Sequence, residues 1–349
     1  MEELKPLVEK HLRHLMGRAN VVGVGVGYKL TGGRRTETKA IMVLVSRKVH
    51  PGRLAPRDRV PRTLSQVKTD VLEVGELRLL GPAARPAAPA PLEEGDRTTR
   101  MRPARPGVSV GHYQVTAGTF GALVRDAETG RPMILSNNHV LANITDGKDG
   151  RANIGDPVYQ PGRYDGGTEA DTIAHLERYV PILRTTLEET CPIAKGAERF
   201  GNYLLRLAFP GHRLRFVRAT GAGNLVDAAV AALVDPNDAV PDILDIGPVE
   251  GTVEAAPGLK IMKSGRTSAV THGEVQVVGA TVQVGLGDVG FAVFTDQIVT
   301  TAIAQPGDSG SLVVTEEGHK AVGLLSAGSD QATVVSRIEN IFKLLGVTF

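Results

Sequence analysis

Two short segments of this 349-residue chain combine residue types that can move a proton and attack a carbonyl. The first is Ile134-Leu135-Ser136-Asn137-Asn138-His139-Val140-Leu141, an apolar stretch ending in a histidine. The second is Gln305-Pro306-Gly307-Asp308-Ser309-Gly310-Ser311, a glycine-flanked turn opening into the apolar run Leu312-Val313-Val314. A serine hydroxyl is a weak nucleophile at its own pKa and needs an adjacent base. Imidazole, with a pKa of about 6.5, accepts that proton and can return it to a leaving amine. A glycine ahead of the serine lets successive backbone N–H groups converge where an oxyanion would develop. A glycine behind it leaves room for a substrate. The chemistry these types point to is acyl transfer through serine. Gly-Asp-Ser alone is ordinary turn chemistry, so the weight rests on its conjunction with the histidine segment.

The elements around these segments read as strands. From Gly107 onward, Gly118 to Arg125, Pro132 to Ser136, Val158 to Gln160, Asp171 to Val180 and Val226 to Val234 are short apolar-rich runs bounded by turn residues. Gly273 to Val284, Gln297 to Ala302, Ser311 to Val314 and Ala321 to Ser326 continue the pattern. So many short strands predict a sandwich or a pair of barrels. Val335, Ile338, Ile341, Phe342 and Leu345 share one helical face, which predicts a C-terminal helix over Val335 to Leu345, docked on a sheet.

The N-terminal part reads differently. Leu4, Leu7, Val8, Leu12, Leu15 and Met16 recur at helical spacing, and Asn20 to Lys29 and Lys39 to Lys48 read as strands around the turn Thr31-Gly32-Gly33. A further strand is expected around Val67 to Val74. Residues 1–80 therefore read as a small α+β domain. The run Gly23-Val24-Gly25-Val26-Gly27 is GxGxG, not GxGxxG, and no helix follows, so a glycine-bearing strand is the reading rather than a dinucleotide loop. Residues 81–106, rich in Ala, Pro and Arg, read as a semi-extended linker. Residues 107–349 form the second domain, with an arginine-rich insertion at about 190–219.

Composition narrows the function. Forty Lys and Arg against 38 Asp and Glu give a net charge of +2, which argues against a nucleic-acid partner dominated by phosphate charge. Aromatics are 4% with no Trp, so stacking platforms for single strands are not expected either. No apolar run approaches a membrane span and none near the start resembles a leader, so no membrane partner and a cytoplasmic location are expected. The single cysteine, Cys191, cannot form an intrachain disulfide. No HExxH, CxxC or acidic calcium-loop pattern occurs, so neither a metal nor another cofactor is expected. Gly at 41 and Pro at 21 residues suit a turn-rich β protein.

A histidine in Leu-Ser-Asn-Asn-His-Val-Leu followed much later by Gly-Asp-Ser-Gly-Ser resembles the trypsin/chymotrypsin family of serine peptidases. Lys263-Ser264-Gly265-Arg266-Thr267-Ser268, then Thr271-His272-Gly273-Glu274-Val275, is similar to a hairpin of its bacterial members. The resemblance covers residues 107–349, about two-thirds of the chain, in the manner of intracellular bacterial and plant members with an N-terminal extension. It implies a chymotrypsin-like double β-barrel, mainly β, with Ser309 as nucleophile and His139 as general base and acid. The N–H groups of Gly307 and Ser309 would form the oxyanion hole. Two aspartates could complete a triad, Asp171 and Asp227; counting strands after His139 favours Asp227, with Asp171 the alternative catalytic acid. Ile303 would lie at the base of the primary specificity pocket, with Ser326-Ala327-Gly328 as the substrate strand, implying preference for a medium-sized apolar residue before the scissile bond.

The chain departs from the family pattern in three ways. Ser311 stands where the family usually has a second glycine. There is no Ile-Val-Gly-Gly terminus to insert beside Asp308, so the site must be preformed or ordered by something else. The disulfides of secreted members are absent. His175 and His272 read as structural, His11 and His14 as surface residues, and Arg199, Arg206, Arg213, Arg215 and Arg218 as a solvated face. The function expected is an intracellular serine endopeptidase acting on a protein or peptide substrate, regulated or latent. The alternative is a catalytically silent peptidase-fold scaffold or binding protein. For residues 1–80, gating of the cleft, homo-oligomer formation and recruitment of substrates or an activating partner are all open roles.

Overall fold

The computed structural model describes residues 1–80, 97–188, 218–220 and 223–349. Cys191, the first part of the linker, most of the insertion and Arg199, Arg206, Arg213 and Arg215 lie outside the described residues. What the structure shows is mainly β, arranged as two large sheets, each with a core of its own and with a further core shared between them.

The first sheet has eight strands among the described residues. It includes Ser109–His112, Gly118–Thr119, Ala122–Asp126, Pro132–Ser136, Thr172–Tyr179 and Ala229–Leu233. Pro132–Ser136 lies between Ala122–Asp126 and Ala229–Leu233, all antiparallel. Its two faces feed different cores: Ile134 packs with Phe120, Ile173 and Ala231, while Met133 and Leu135 pack with Val230, Leu312 and Ile341. This alternation follows from the two-residue period of a strand with both faces covered.

Six strands of the second sheet close on themselves. Lys260–Gly265, Leu312–Thr315, Ala321–Gly328, Ala332–Arg337, Phe291–Thr301 and Ala269–Gly285 pair in that order, and the last pairs back with the first. Ala269–Gly285 closes the ring by pairing with Lys260–Gly265 through its first part and with Phe291–Thr301 through the rest. The segment expected as one helix from Val335 divides instead into a strand, Ala332–Arg337, and a helix, Ile338–Leu345. Val335 pairs with Ile298 and Leu325 in the barrel, and Arg337 is extended. A run of buried apolar residues satisfies both periods, and the barrel ladder decides between them here. Ile338, Ile341 and Leu345 do pack as one helical face.

The N-terminal residues join this second sheet. Val21–Thr31 and Arg34–Val45 form a hairpin, and Gly23, Val24, Val26 and Gly27 pair antiparallel with Val282, Thr281, Val278 and Val277 of the long strand Ala269–Gly285. Val67–Glu73 adds in parallel to Arg34–Val45. Along the second hairpin strand, Ala40, Met42 and Leu44 face a core shared with Val282, Phe294 and Val334. Ile41, Val43 and Val45 face the helix Lys5–Met16 through Val8 and Leu15. The glycine run is a strand, and its glycines are needed: a Cβ on Gly25 would lie 2.5 Å from Val277 Cγ1.

Candidate active site

Strand Pro132–Ser136 delivers the chain into a helical turn, Asn138–Leu141, that carries His139. Two buried asparagines fix that turn. Asn137 donates to the carbonyl of Asp227 at 2.7 Å, and Asn138 donates to the carbonyls of Thr145 and Val180 at 3.1 and 2.8 Å. Ala229 is in register with Ser136, which brings Asp227, two residues upstream of Ala229, alongside His139. Asp227 then takes two hydrogen bonds from one residue: His139 Nδ1 at 2.5 Å to Oδ2, and the His139 backbone N–H at 3.2 Å to Oδ1. A carboxylate can only accept, so Nδ1 carries a proton, and in the neutral imidazole Nε2 is then the acceptor nitrogen. Nε2 is buried and has no hydrogen-bond partner. The Asp227 backbone N–H lies 3.4 Å from Ser336 Oγ, tying the backbone of Asp227 to the second sheet.

Ser309 comes from the other sheet, on the turn that enters strand Leu312–Thr315. Gly307 and Gly310 flank it with φ of +102° and +91°, a region that L side chains rarely adopt. A Cβ on Gly310 would also lie 2.0 Å from Ser136 Oγ. The short strand Gly118–Thr119 grips this turn. Thr119 N–H donates to the Ser309 carbonyl at 2.7 Å, Thr119 Oγ1 donates to the Gly307 carbonyl at 2.9 Å, and Ser136 Oγ donates to the Thr119 carbonyl at 2.7 Å. Thr119 thus links the histidine strand to the serine turn, a role with no visible signature in the sequence. Ser309 is fully buried, and its Oγ, like His139 Nε2, has no partner. The hydroxyl–imidazole hydrogen bond is not made in this conformation, as is common in unliganded sites.

The acid before the nucleophile is held by a buried cation. Asp308 accepts from Lys263 Nζ at 3.0 Å, from the N–H groups of Thr267, Ser268 and Gln305 at 2.9, 3.1 and 2.9 Å, and from Ser268 Oγ. Both partners of the ion pair are fully buried. Burial alone pushes the Asp308 carboxyl up, but the Lys263 charge and these hydrogen bonds outweigh it and hold it below the usual carboxylate value. Lys263 therefore supplies the buried positive charge that Asp308 faces. Its sequence signal is a lysine within the apolar strand Ile261-Met262-Lys263, whose type alone suggests a solvated side chain.

Ile303 is buried in an apolar cluster with Val275, Ile298, Leu325 and Val335. Ser326, Ala327 and Gly328 end the buried strand Ala321–Gly328, with Ser326 Oγ donating to the Val334 carbonyl at 3.4 Å. The Gly307 N–H donates to the carbonyl of Leu80 at 2.7 Å. Asp171 is not with His139: it caps its own turn through Thr168 and pairs with Arg100 at 3.0 Å. His175 bonds the Gly155 carbonyl, and His272 pairs with Glu316 on an exposed surface. A second buried histidine, His112, lies 3.0 Å from Asp156 with its pKa pushed down by burial. Among the described residues no group of His, Cys, Asp or Glu is arranged to hold a metal ion, and no helix is long and apolar enough to cross a membrane.

Residues 7–74 match the family model described as the NARROW LEAF 1 N-terminal domain. Protein NARROW LEAF 1 of Oryza sativa subsp. japonica is 27% identical over 327 residues, covering 88% of this chain and 51% of the relative. Streptogrisin-D of Streptomyces griseus is 41% identical over 76 residues, covering 22% of this chain and 18% of the relative. The chain thus spans about half the length of one curated relative and about a fifth of the other. Thermobifida fusca Protease A superposes with a TM-score of 0.43 at 18% identity, covering 70% of this chain and 96% of that structure. Residues 7–74 are thus similar to the Narrow Leaf 1 N-terminal domain, and the β fold that follows is similar to that of the trypsin/chymotrypsin-like serine peptidases.

Proposed function

We propose that this chain is a serine endopeptidase that hydrolyses peptide bonds through His139, Asp227 and Ser309. The observation that carries the proposal is the clamp of Asp227 on His139, which leaves Nε2 buried and without a partner, as is the Ser309 hydroxyl on the turn that Thr119 ties to the histidine strand. In the reaction Ser309 Oγ adds to the carbonyl carbon as His139 Nε2 takes its proton. The N–H groups of Gly307 and Ser309 stabilise the oxyanion, and His139 returns the proton to the leaving amine. Water then hydrolyses the acyl-serine by the same relay. Asp227 holds the imidazole tautomer and stabilises the imidazolium without taking the proton. The apolar surroundings of Ile303 favour an apolar side chain before the scissile bond. With one cysteine in the chain, a reducing cytoplasm is the compartment proposed.

Labelling with a fluorophosphonate probe tests this. Wild type should label at Ser309, Ser309→Ala and His139→Ala should not, Asp227→Asn should label far more slowly, and Asp171→Asn should match wild type. Absence of labelling in wild type and in Leu80→Asp, which disfavours the packing of Leu80 beside Ile303 and with it the bond on the Gly307 N–H, would support the silent-scaffold reading. That reading draws on the unmade Ser309–His139 hydrogen bond and the occupied Gly307 N–H.

A further inference from the structure

The oxyanion donor expected of Gly307 depends on how one peptide is turned. The Pro306 C=O and the Gly307 N–H share a planar trans unit, so fixing the carbonyl on one side fixes the N–H on the other. Thr267 Oγ1 donates to the Pro306 carbonyl at 2.8 Å. The same oxygen accepts from Arg266 Nη1 at 3.0 Å. A guanidinium can only donate, so the single proton of the hydroxyl is left for Pro306. Arg266 is itself held from the first sheet. Its Nε donates to Asp165 Oδ2 at 2.9 Å, its Nη2 donates to Asp165 Oδ1, and the guanidinium lies 5.1 Å from the centre of the Tyr164 ring. Asp165 also accepts at 2.5 Å from Ser109 Oγ, on strand Ser109–His112. The side chains of Arg266 and Asp165 are 10% and 6% exposed, so water competes little for these bonds. Gly307 leaves the space that Thr267 needs, since a Cβ there would lie 2.3 Å from Thr267 Oγ1. On the opposite side of the peptide, the Gly307 N–H donates to the carbonyl of Leu80, which follows the short strand Arg78–Leu79 paired with Gly328 and Ala327.

We infer that Asp165, Arg266 and Thr267 are positioning residues for the oxyanion donor: Asp165 aims Arg266, Arg266 aims the Thr267 hydroxyl, and Thr267 holds the Pro306 carbonyl so that the Gly307 N–H faces the other way. None of the three touches the reacting atoms. The inference rests on the serine-peptidase reading and deepens it by naming what keeps the donor turned when no substrate is bound. Were the peptide to turn over, the Pro306 oxygen would face the developing negative charge, and the site would repel what it must stabilise. The fork of the guanidinium is essential. It gives two N–H groups to a carboxylate and a third to the hydroxyl at once, which a lysine ammonium cannot do in this geometry. A second link runs in parallel, because the Arg266 backbone N–H donates at 3.0 Å to Thr119 Oγ1, the same hydroxyl that donates to the Gly307 carbonyl. The serine turn of the second sheet is therefore set by Asp165, which lies on a turn between strands Pro157–Tyr159 and Thr172–Tyr179 of the first.

The test pairs hydrolysis of N-acetyl-leucine p-nitrophenyl ester with hydrogen exchange at the Gly307 amide of the full chain, followed by 15N NMR. Hydrolysis is measured in wild type and in the Leu80→Asp background, exchange in wild type, where the bond to Leu80 protects the amide. Thr267→Val keeps the shape at an exposed position and loses the hydroxyl. It should lower kcat by up to about 100-fold, the cost of a lost oxyanion donor, with KM within about twofold. Gly307 exchange should quicken by about tenfold at an unchanged urea midpoint. Thr267→Ser, which keeps the hydroxyl, should restore both values. Arg266→Lys, which keeps the charge and loses the fork, should behave like Thr267→Val; should it fail to fold, Thr267→Val against Thr267→Ser still decides. Wild-type kcat and exchange in Thr267→Val overturn the inference and leave the peptidase reading standing. So does a fall in kcat that Thr267→Ser shares or that faster Gly307 exchange does not accompany. Absence of acylation in both backgrounds, with Gly307 still deprotected by Thr267→Val, overturns the peptidase reading alone. Absence of acylation with unchanged exchange overturns both.

Discussion

The two halves of the candidate site are held by opposite means. On the histidine side, Asp227 gives both oxygens to one residue, and the packing around it is apolar and amide-lined. On the serine side, an ion pair buried within the second barrel, Lys263–Asp308, fixes the backbone of the turn, while the hydroxyl itself is bound to nothing. The first half orients a side chain for proton transfer; the second orients a backbone. The contrast teaches that here the reactive hydroxyl is placed through its neighbours: Asp308 before it, Gly310 after it and Thr119 across from it. Breaking either half should therefore give distinct symptoms, one kinetic and one structural.

Asp227→Asn attacks the first half and should give the largest effect. The amide can keep a contact to the imidazole but reverses the tautomer preference, so acylation should fall by about 10⁴-fold with little change in stability. Probe-labelling rates and urea midpoints measured together check this; a large stability loss at unchanged rate would contradict it. Lys263→Met attacks the second half. It leaves Asp308 as a buried carboxylate without its cation, which should destabilise the fold by about 3–5 kcal/mol in chemical denaturation. A loss below about 1 kcal/mol would mean the pair does not fix the turn.

Acidification probes the same half without mutation. Because Asp308 is held below its unfolded value, its contribution is complete above the unfolded carboxylate pKa of about 3.9 and is lost as pH falls through the folded value. Wild-type urea midpoints should therefore drop between pH 5 and the acid extreme more steeply than those of Asp308→Asn; equal slopes would remove Asp308 from the acid limb. The smallest effect belongs to Asp171→Asn, which breaks a pair to the half-exposed Arg100. Stability should change by about 1 kcal/mol or less and labelling not at all. Lost labelling would return Asp171 to the reaction.

What could be read in advance follows from how local each signal is. The histidine and serine segments carry their chemistry in contiguous residues, and strand counting after His139 leads to Asp227 because each strand there is short and bounded by turn residues. Val335 was unreadable as strand or helix because buried apolar neighbours suit both periods until a barrel partner exists. Lys263 was hidden because a lysine in a strand ordinarily faces water, and only the folded barrel sets it against Asp308. Residues 77–80 were hidden for a related reason: Arg78 and Leu79 form a two-residue strand whose partners lie more than 200 positions away. The glycines of the N-terminal hairpin and those around Ser309 look alike in sequence, yet the former admit a neighbouring strand and the latter a left-handed turn.

The most direct measurement is trapping of the acyl intermediate on Ser309. N-acetyl-leucine p-nitrophenyl ester would be mixed with wild type and Leu80→Asp, following nitrophenolate release in the first turnover and mapping the quenched protein by peptide mass. A burst stoichiometric with the chain, an acyl group on Ser309, and loss of both in Ser309→Ala and His139→Ala are expected. Release at the same rate in Ser309→Ala, with no acyl group on Ser309 in any chain, would contradict a working His139–Asp227–Ser309 site.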